Sequence, residues 1–199
     1  MKSNICKIDN GTKDLEAILR ESEKVAVYND LTHKQSLQLR LICEEIDGML
    51  PNVVDRFNGE LWIEFEEGVC KVHVSLRFKE FTLDKKEGLV GFSKNKKNAA
   101  AVGIVGKIRS ALENFLWGEA ISRGLDMIPV TAYGALDCYD GMDYSGLWTL
   151  EEYRSTVKST EKSEEWDELE KSVLASVADD VIVGVKGKQA DIIIVKKFV

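Results

Sequence analysis

Residues 32–57, THKQSLQLRLICEEIDGMLPNVVDRF, decide how the rest of the chain is read. Thr32 suits an N-cap, and Gln35 three residues on completes a capping box. Leu39, Ile42, Ile46, Met49 and Val53 then recur at helical spacing, so one face is apolar and packs inward. Glu45 falls between Ile42 and Met49 on that face, whereas Glu44 points away. A carboxylate on an inward face is costly unless it is paired or functional. The alternative is that Glu45 sits at the edge of the stripe and reaches water or a lysine. Gly48 and Pro51 suit a helix interior poorly, so the helix is expected to kink or end near residues 48–51.

Immediately downstream, NGELWIEFEEGVCKVHVSLRF alternates with period two. Leu61, Ile63 and Phe65 oppose Trp62, Glu64 and Glu66; past a turn at Glu67-Gly68, Cys70, Val72, Val74, Leu76 and Phe78 oppose Lys71, His73, Ser75 and Arg77. Two strands over 60–66 and 70–78, each apolar on one side, form a hairpin covered on one face, as a layered sandwich requires. His73 lies on the polar side with no second His or Cys at ligand spacing, and reads as a solvated strand residue.

RLICEEIDGMLPNVVDRF followed by that hairpin resembles the first half of a histidine-kinase-like (GHKL) ATPase domain, closest in layout to the anti-sigma-factor serine kinases. In that family the helix carries an activating Glu and, one turn later, a Mg-binding Asn, and the hairpin ends in an Asp that reads adenine. Arg40, Leu41, Glu44 and Glu45 match, which makes Glu45 the candidate catalytic base. Met49 stands where the Asn belongs, Ser75 stands near the place of the adenine Asp, and the family's D-x-G-x-G is absent. Gly103-Ile-Val-Gly106 is similar to the second glycine motif of the family, where a helix N-terminus faces phosphates. An equal alternative is that these glycines let another helix pack closely. The resemblance implies a two-layer α/β (α+β) sandwich, a mixed sheet with helices on one face. Its cofactor-binding positions would be Met49, Ser75, Gly103 and Gly106.

The rest of the chain fits one domain over 1–199 with an insertion at about 118–178. Residues 5–8, ICKI, predict a short leading strand. A helix from Thr12 to about residue 29 follows, with Leu15, Ile18, Leu19, Val25 and Ala26 as its stripe and Asn29-Asp30 as its stop. The lysine-rich stretch 79–98 reads as a loop, at the position of the family's nucleotide lid. Ala101, Ile104, Val105, Ile108, Leu112, Phe115 and Leu116 predict a further helix. Glycines and tyrosines between 118 and 149 predict irregular structure with one short strand at 127–132. Thr149 and Glu152 form another capping box, and Trp166, Leu169, Val173 and Val177 predict one face of a later helix. A second hairpin, 181–185 and 190–195 about a Lys-Gly-Lys-Gln turn, closes the chain.

A formal charge of −7 and a pI near 5.1 argue against a dedicated nucleic-acid binder. No apolar run is long enough for a membrane span or signal peptide. Cysteines at 6, 43, 70 and 138, without Cys-x-x-Cys, predict buried or free thiols in a reducing cytoplasm rather than a disulfide framework or zinc site. With only His33 and His73, a Ser-His-Asp or Cys-His enzyme is disfavoured.

The sequence therefore predicts a cytoplasmic regulatory protein of bacterial type with a degenerate nucleotide site. It would act through a regulatory protein partner, without nucleic acid, membrane, cofactor or metal, and its oligomeric state is open, a homodimer included. The alternative is an ATP- and Mg-dependent anti-sigma-type serine/threonine kinase with an atypical site. Chemistry separates the two. Phosphoryl transfer needs a divalent ion to neutralise the phosphates, and a Met thioether is a poor ligand for Mg²⁺, which takes oxygen. A third reading, an unrelated α/β domain, requires the resemblance to be accidental.

Overall fold

A computed structural model describes residues 1–9, 15–53, 57–78, 104, 106–109, 111–112, 146–159, 172–186 and 189–198. The elements are β1 (Cys6–Asp9), α1 (Leu15–Tyr28), α2 (His33–Val53), β2 (Phe57–Glu66), β3 (Val69–Phe78), β4 (Gly146–Thr149), α3 (Leu150–Ser159), α4 (Val173–Val177), β5 (Asp180–Lys186) and β6 (Gln189–Lys197). The strands form one six-stranded sheet in the order β1-β2-β3-β6-β5-β4. Both hairpins thus share a sheet, joined where β3 pairs with β6.

The expectation of a mixed sheet is corrected: every neighbouring pair among the described strands is antiparallel. The connections explain it. Two helices, α1 and α2, return the chain to the end where β1 finished, so β2 must run against it. A tight turn reverses β2 into β3, and only two residues separate β5 from β6.

Alternation places one row of every strand under the helices. Leu61, Ile63, Val72, Val74, Leu76, Val183, Ile192 and Ile194 share a core with Ile18 and Val25 of α1, with Leu39, Ile42 and Ile46 of α2, and with Ile104, Ile108 and Leu112. The opposite face carries a smaller strand-borne cluster of Ile182, Ile193 and Val195. Such a two-layer arrangement follows directly from period two in the strands meeting period 3.6 in the helices. Losing one of the large buried side chains, Leu39 for example, costs about 2–5 kcal/mol.

Local signals account for the element ends. Thr32 and Gln35 cap α2 reciprocally: Thr32 N donates to Gln35 Oε1 at 2.9 Å, and Gln35 N donates to Thr32 Oγ1 at 3.4 Å. Glu152 N donates to Thr149 Oγ1 at 3.2 Å, opening α3 as the capping box predicts. At the β2–β3 turn Glu67 and Gly68 have φ of 49° and 80°, the pair of positive values a type I′ hairpin turn needs. Arg154 of α3 donates to Asp179 O at 3.0 Å and to the carbonyls of Ala175 and Ala178, closing the C-terminal end of α4.

Three further expectations are corrected. First, α2 does not stop at 48–51 but runs through Pro51 to Val53. Pro51 falls in the last turn, where the missing N–H and the ring clash disturb only one hydrogen bond. Second, α4 buries Leu174 and Ala175, leaving Val173 39% exposed, so Val173 is not on its inward face. Third, residues 146–149, expected to be irregular, form β4 and extend the sheet by pairing with β5. The strand expected at 127–132, the loop at 79–98 and the helix face at Trp166 and Leu169 lie outside the described residues.

Candidate functional site

On α2 the buried side is formed by Leu39, Ile42, Cys43, Ile46, Met49 and Leu50. Glu45 flanks this face and is half-buried, the edge position that the stripe allowed. Glu44 is tied down instead: Arg40 Nε donates to Glu44 Oε1 at 3.0 Å while Arg40 also reaches Glu23 Oε1 of α1 at 3.1 Å. Arg40 and Glu44 thus clamp α1 to α2, and Glu45 is left outside that clamp.

Met49 is 4% exposed and belongs to the main core together with Ile104 and Ile108. Gly106 is buried on the same helical stretch, and Gly103 lies outside the described residues. A thioether in a dry core supplies no oxygen to a hard cation. Among the described residues, no group of three or more His, Cys, Asp or Glu stands together as a metal site.

Ser75 occupies a different place. Its strand neighbours Val74 and Leu76 sit in the helix-covered core, so the Ser75 side chain lies on the opposite face of the sheet from Met49. There its Oγ accepts from Gln189 Nε2 at 3.1 Å, and Gln189 also donates to Asp191 Oδ1 at 3.2 Å. Asp191 pairs with Ser75 across the β3–β6 ladder, so the carboxylate in this row comes from β6. The structure brings Glu45, Met49 and Gly106 to the α2 side and leaves Ser75 across the sheet.

The sequence reading missed two features. His73 is not solvated: its side chain is 15% exposed and stacks on Trp62, with centroids 4.8 Å apart. Its Nε2 lies 3.3 Å from Glu64 Oε2 but out of line for a hydrogen bond. Burial pushes the imidazole below its ordinary value, against the opposing pull of Glu64 and with the help of Lys71 and Lys2. The register could have signalled this contact, since an aromatic residue directly across from a histidine on one sheet face meets it.

The second missed feature is Glu21, 8% exposed on the inward side of α1. Its carboxylate accepts from Asn4 N at 3.1 Å, Asn4 Nδ2 at 3.2 Å and Lys24 Nζ at 2.6 Å. Burial disfavours its charge, but the hydrogen bonds from Lys24 and Asn4 outweigh that and hold it below the usual carboxylate range. The periodicity 18, 21, 22, 25 places it on the stripe, so it was readable from spacing alone. Glu21 is one wall of a groove of about 410 Å³ between β1 and α1.

Cys6, Cys43 and Cys70 are buried and outside any disulfide, as expected of them, and Cys138 lies outside the described residues. Burial pushes Cys70 up to about 12 and Cys43 higher still, so neither serves as a nucleophile. No helix among the described residues is long and apolar enough to cross a membrane. The chain matches no family model, no curated protein and no solved structure.

Proposed function

We propose that this chain is a regulatory protein that works by contact with another protein, on a histidine-kinase-like ATPase scaffold whose nucleotide site is degenerate. One observation carries the reading: Met49, at the position where the resemblance requires a metal-binding Asn, is packed in the core at 4% exposure. Further support comes from the two hairpins sharing one sheet, whose core includes residues of α2 together with Ile104, Ile108 and Leu112.

The residues present do not fit a Mg-bound nucleotide. Glu45 keeps partial exposure, yet it has no oxygen ligand one turn on. Ser75 is across the sheet and engaged with Gln189, so it is left out of the proposed site. A scaffold that keeps its apolar stripes while the metal-ligand position holds a buried Met is suited to presenting surface rather than transferring phosphate.

Incubation with γ-phosphate-labelled ATP and Mg²⁺ tests the reading. The expected result is no label on the chain or on a serine-containing protein substrate. Labelled serine would replace this reading with the kinase.

A further inference from the structure

The chain meets the sheet before β1 begins. Lys2 bridges to Glu64, Phe65 N donates to Met1 O at 2.8 Å, and Ser3 N donates to Ile63 O at 2.8 Å. Residues 1–3 therefore line the outer edge of β2. Ser3 stands across from Ile63 and Cys6 across from Leu61, so Asn4 and Ile5 together oppose Trp62 alone. That is a bulge, and it separates residues 1–3 from β1. Glu21 of α1 fixes the bulge by accepting from Asn4 N and Asn4 Nδ2. Residues 1–3 can consequently leave β2 while β1 stays paired.

On the sheet face away from α1 and α2, Lys2 supplies the grip. Its Nζ lies 3.0 Å from Glu64 Oε1 and 4.7 Å from the Trp62 ring centre. His73 uses the same two partners: it stacks on Trp62 at 4.8 Å, with Nε2 3.3 Å from Glu64 Oε2. An imidazolium there is a second cation on one carboxylate and one indole. Lys71, directly across from Glu64, adds to the positive side. Glu60 on β2 and Asp191 on β6 lie diagonal to His73, each two positions from its direct partners Trp62 and Ile193. Of the two lysines, Lys71 sits in a strand paired on both sides, whereas Lys2 sits on a short segment bonded to β2 alone. Lys2 is the cation that can yield.

We propose that residues 1–3 are a proton-operated latch: a proton taken up by the His73 imidazole displaces Lys2 from Glu64 and Trp62 and frees Met1–Ser3 from the edge of β2. The coupling runs both ways. Burial chiefly holds His73 below its ordinary value against the pull of Glu64, and Lys71 and Lys2 lower it further. Because Lys2 opposes the proton, the proton must loosen Lys2 to the same extent. Burial disfavours the charge on Glu64, but hydrogen bonds from Lys2 and Trp62 outweigh it and hold the carboxyl below its usual range. Glu64 thus remains a carboxylate from pH 8 to pH 5, available to either cation. The latch depends neither on the nucleotide positions nor on the protein-contact reading.

Amide hydrogen exchange of the full chain, followed by NMR as protection factors, tests it. The reporter is the Phe65 amide, which the latch covers, and the reference is the Val74 amide in the middle of the sheet. From pH 8 to pH 5, Phe65 protection should fall by about fivefold or more beyond any fall at Val74. The midpoint of that fall should match the titration of the His73 ring protons. His73→Phe keeps an aromatic ring on Trp62 and should abolish the extra fall. Lys2→Met gives an independent readout, since loss of the cation should move the His73 midpoint upward.

Three outcomes overturn the proposal: parallel loss of protection at Phe65 and Val74, an extra fall at Phe65 that persists in His73→Phe, or a His73 midpoint that Lys2→Met does not raise.

Discussion

Trp62 and His73 lie face to face across β2 and β3, ring centroids 4.8 Å apart and planes within 3°. The stack forms on the sheet face away from the helices, beneath Lys2, whose Nζ is 4.7 Å from the Trp62 ring centre. Trp62 Nε1 donates to Glu64 Oε1 at 2.9 Å, so one carboxylate orders both the indole and Lys2.

This contact makes stability depend on pH near neutrality. Burial lowers the His73 value in the folded state below the ordinary 6.5. The neutral ring is therefore the folded form, and its contribution is complete above 6.5. Below that the unfolded chain takes up the proton first, so stability falls as pH drops through the folded value. Urea midpoints measured from pH 8 to pH 5 should decline for the natural protein. His73→Phe keeps an aromatic partner for Trp62 and should remove that part of the slope.

Gly59 and Gly48 should respond oppositely to alanine. A Cβ at Gly59 would stand 2.5 Å from Ser75 O and 2.9 Å from Leu76 Cδ2, where β2 and β3 meet closely. Gly59→Ala is expected to cost about 2–3 kcal/mol by overpacking. At Gly48 nothing lies within 4 Å of the same atom. Gly48→Ala should stabilise the exposed side of α2 by about 0.5–1 kcal/mol. Denaturant midpoints on both variants check the pair.

Asp180 Oδ1 accepts from Glu151 N at 3.0 Å and from Val181 N at 2.8 Å. Burial nevertheless outweighs those bonds and raises its carboxyl above the ordinary 3.8. The ionised form is thus disfavoured in the folded state, and stability is lost as pH rises from 3.8 through the folded value. Asp180→Asn keeps the accepting oxygen without the charge. It should raise the denaturation midpoint at pH 7 and leave it unchanged at pH 3.

Much of the fold was legible because its signals are local. Alternation around Glu67-Gly68 and the Thr32–Gln35 box each depend on residues a few positions apart, and both appear as read. What escaped depended on pairing across the sheet. Whether His73 meets water or Trp62 is decided by the β2–β3 register, and β4 is a strand only because β5 is there to receive it. Antiparallel order throughout was likewise a matter of connection, not propensity. At the candidate site, spacing put Glu45 and Met49 on the inward face of α2, with the edge of the stripe as the alternative for Glu45, but it could not say that Ser75 faces the other side. The groove escaped for a related reason: Asn4 and Glu21 meet only after the chain has turned from β1 into α1.

Met49→Asn should not rebuild a metal site. The side chain replaced is 4% exposed among apolar neighbours, so the new amide would be buried without partners. A cost of about 2–4 kcal/mol is expected. Thermal unfolding reads the loss, and ATP with Mg²⁺ should not recover it, because a ligand restores stability only by binding the folded state.

The central claim is that the nucleotide position no longer serves a Mg-bound nucleotide. Isothermal titration of the unmodified chain with ATP, in parallel with Mg²⁺ and with a chelator, tests it most directly. The account predicts that adding Mg²⁺ changes neither heat nor affinity. Saturable ATP binding at micromolar concentration that appears with Mg²⁺ and vanishes with the chelator would contradict it.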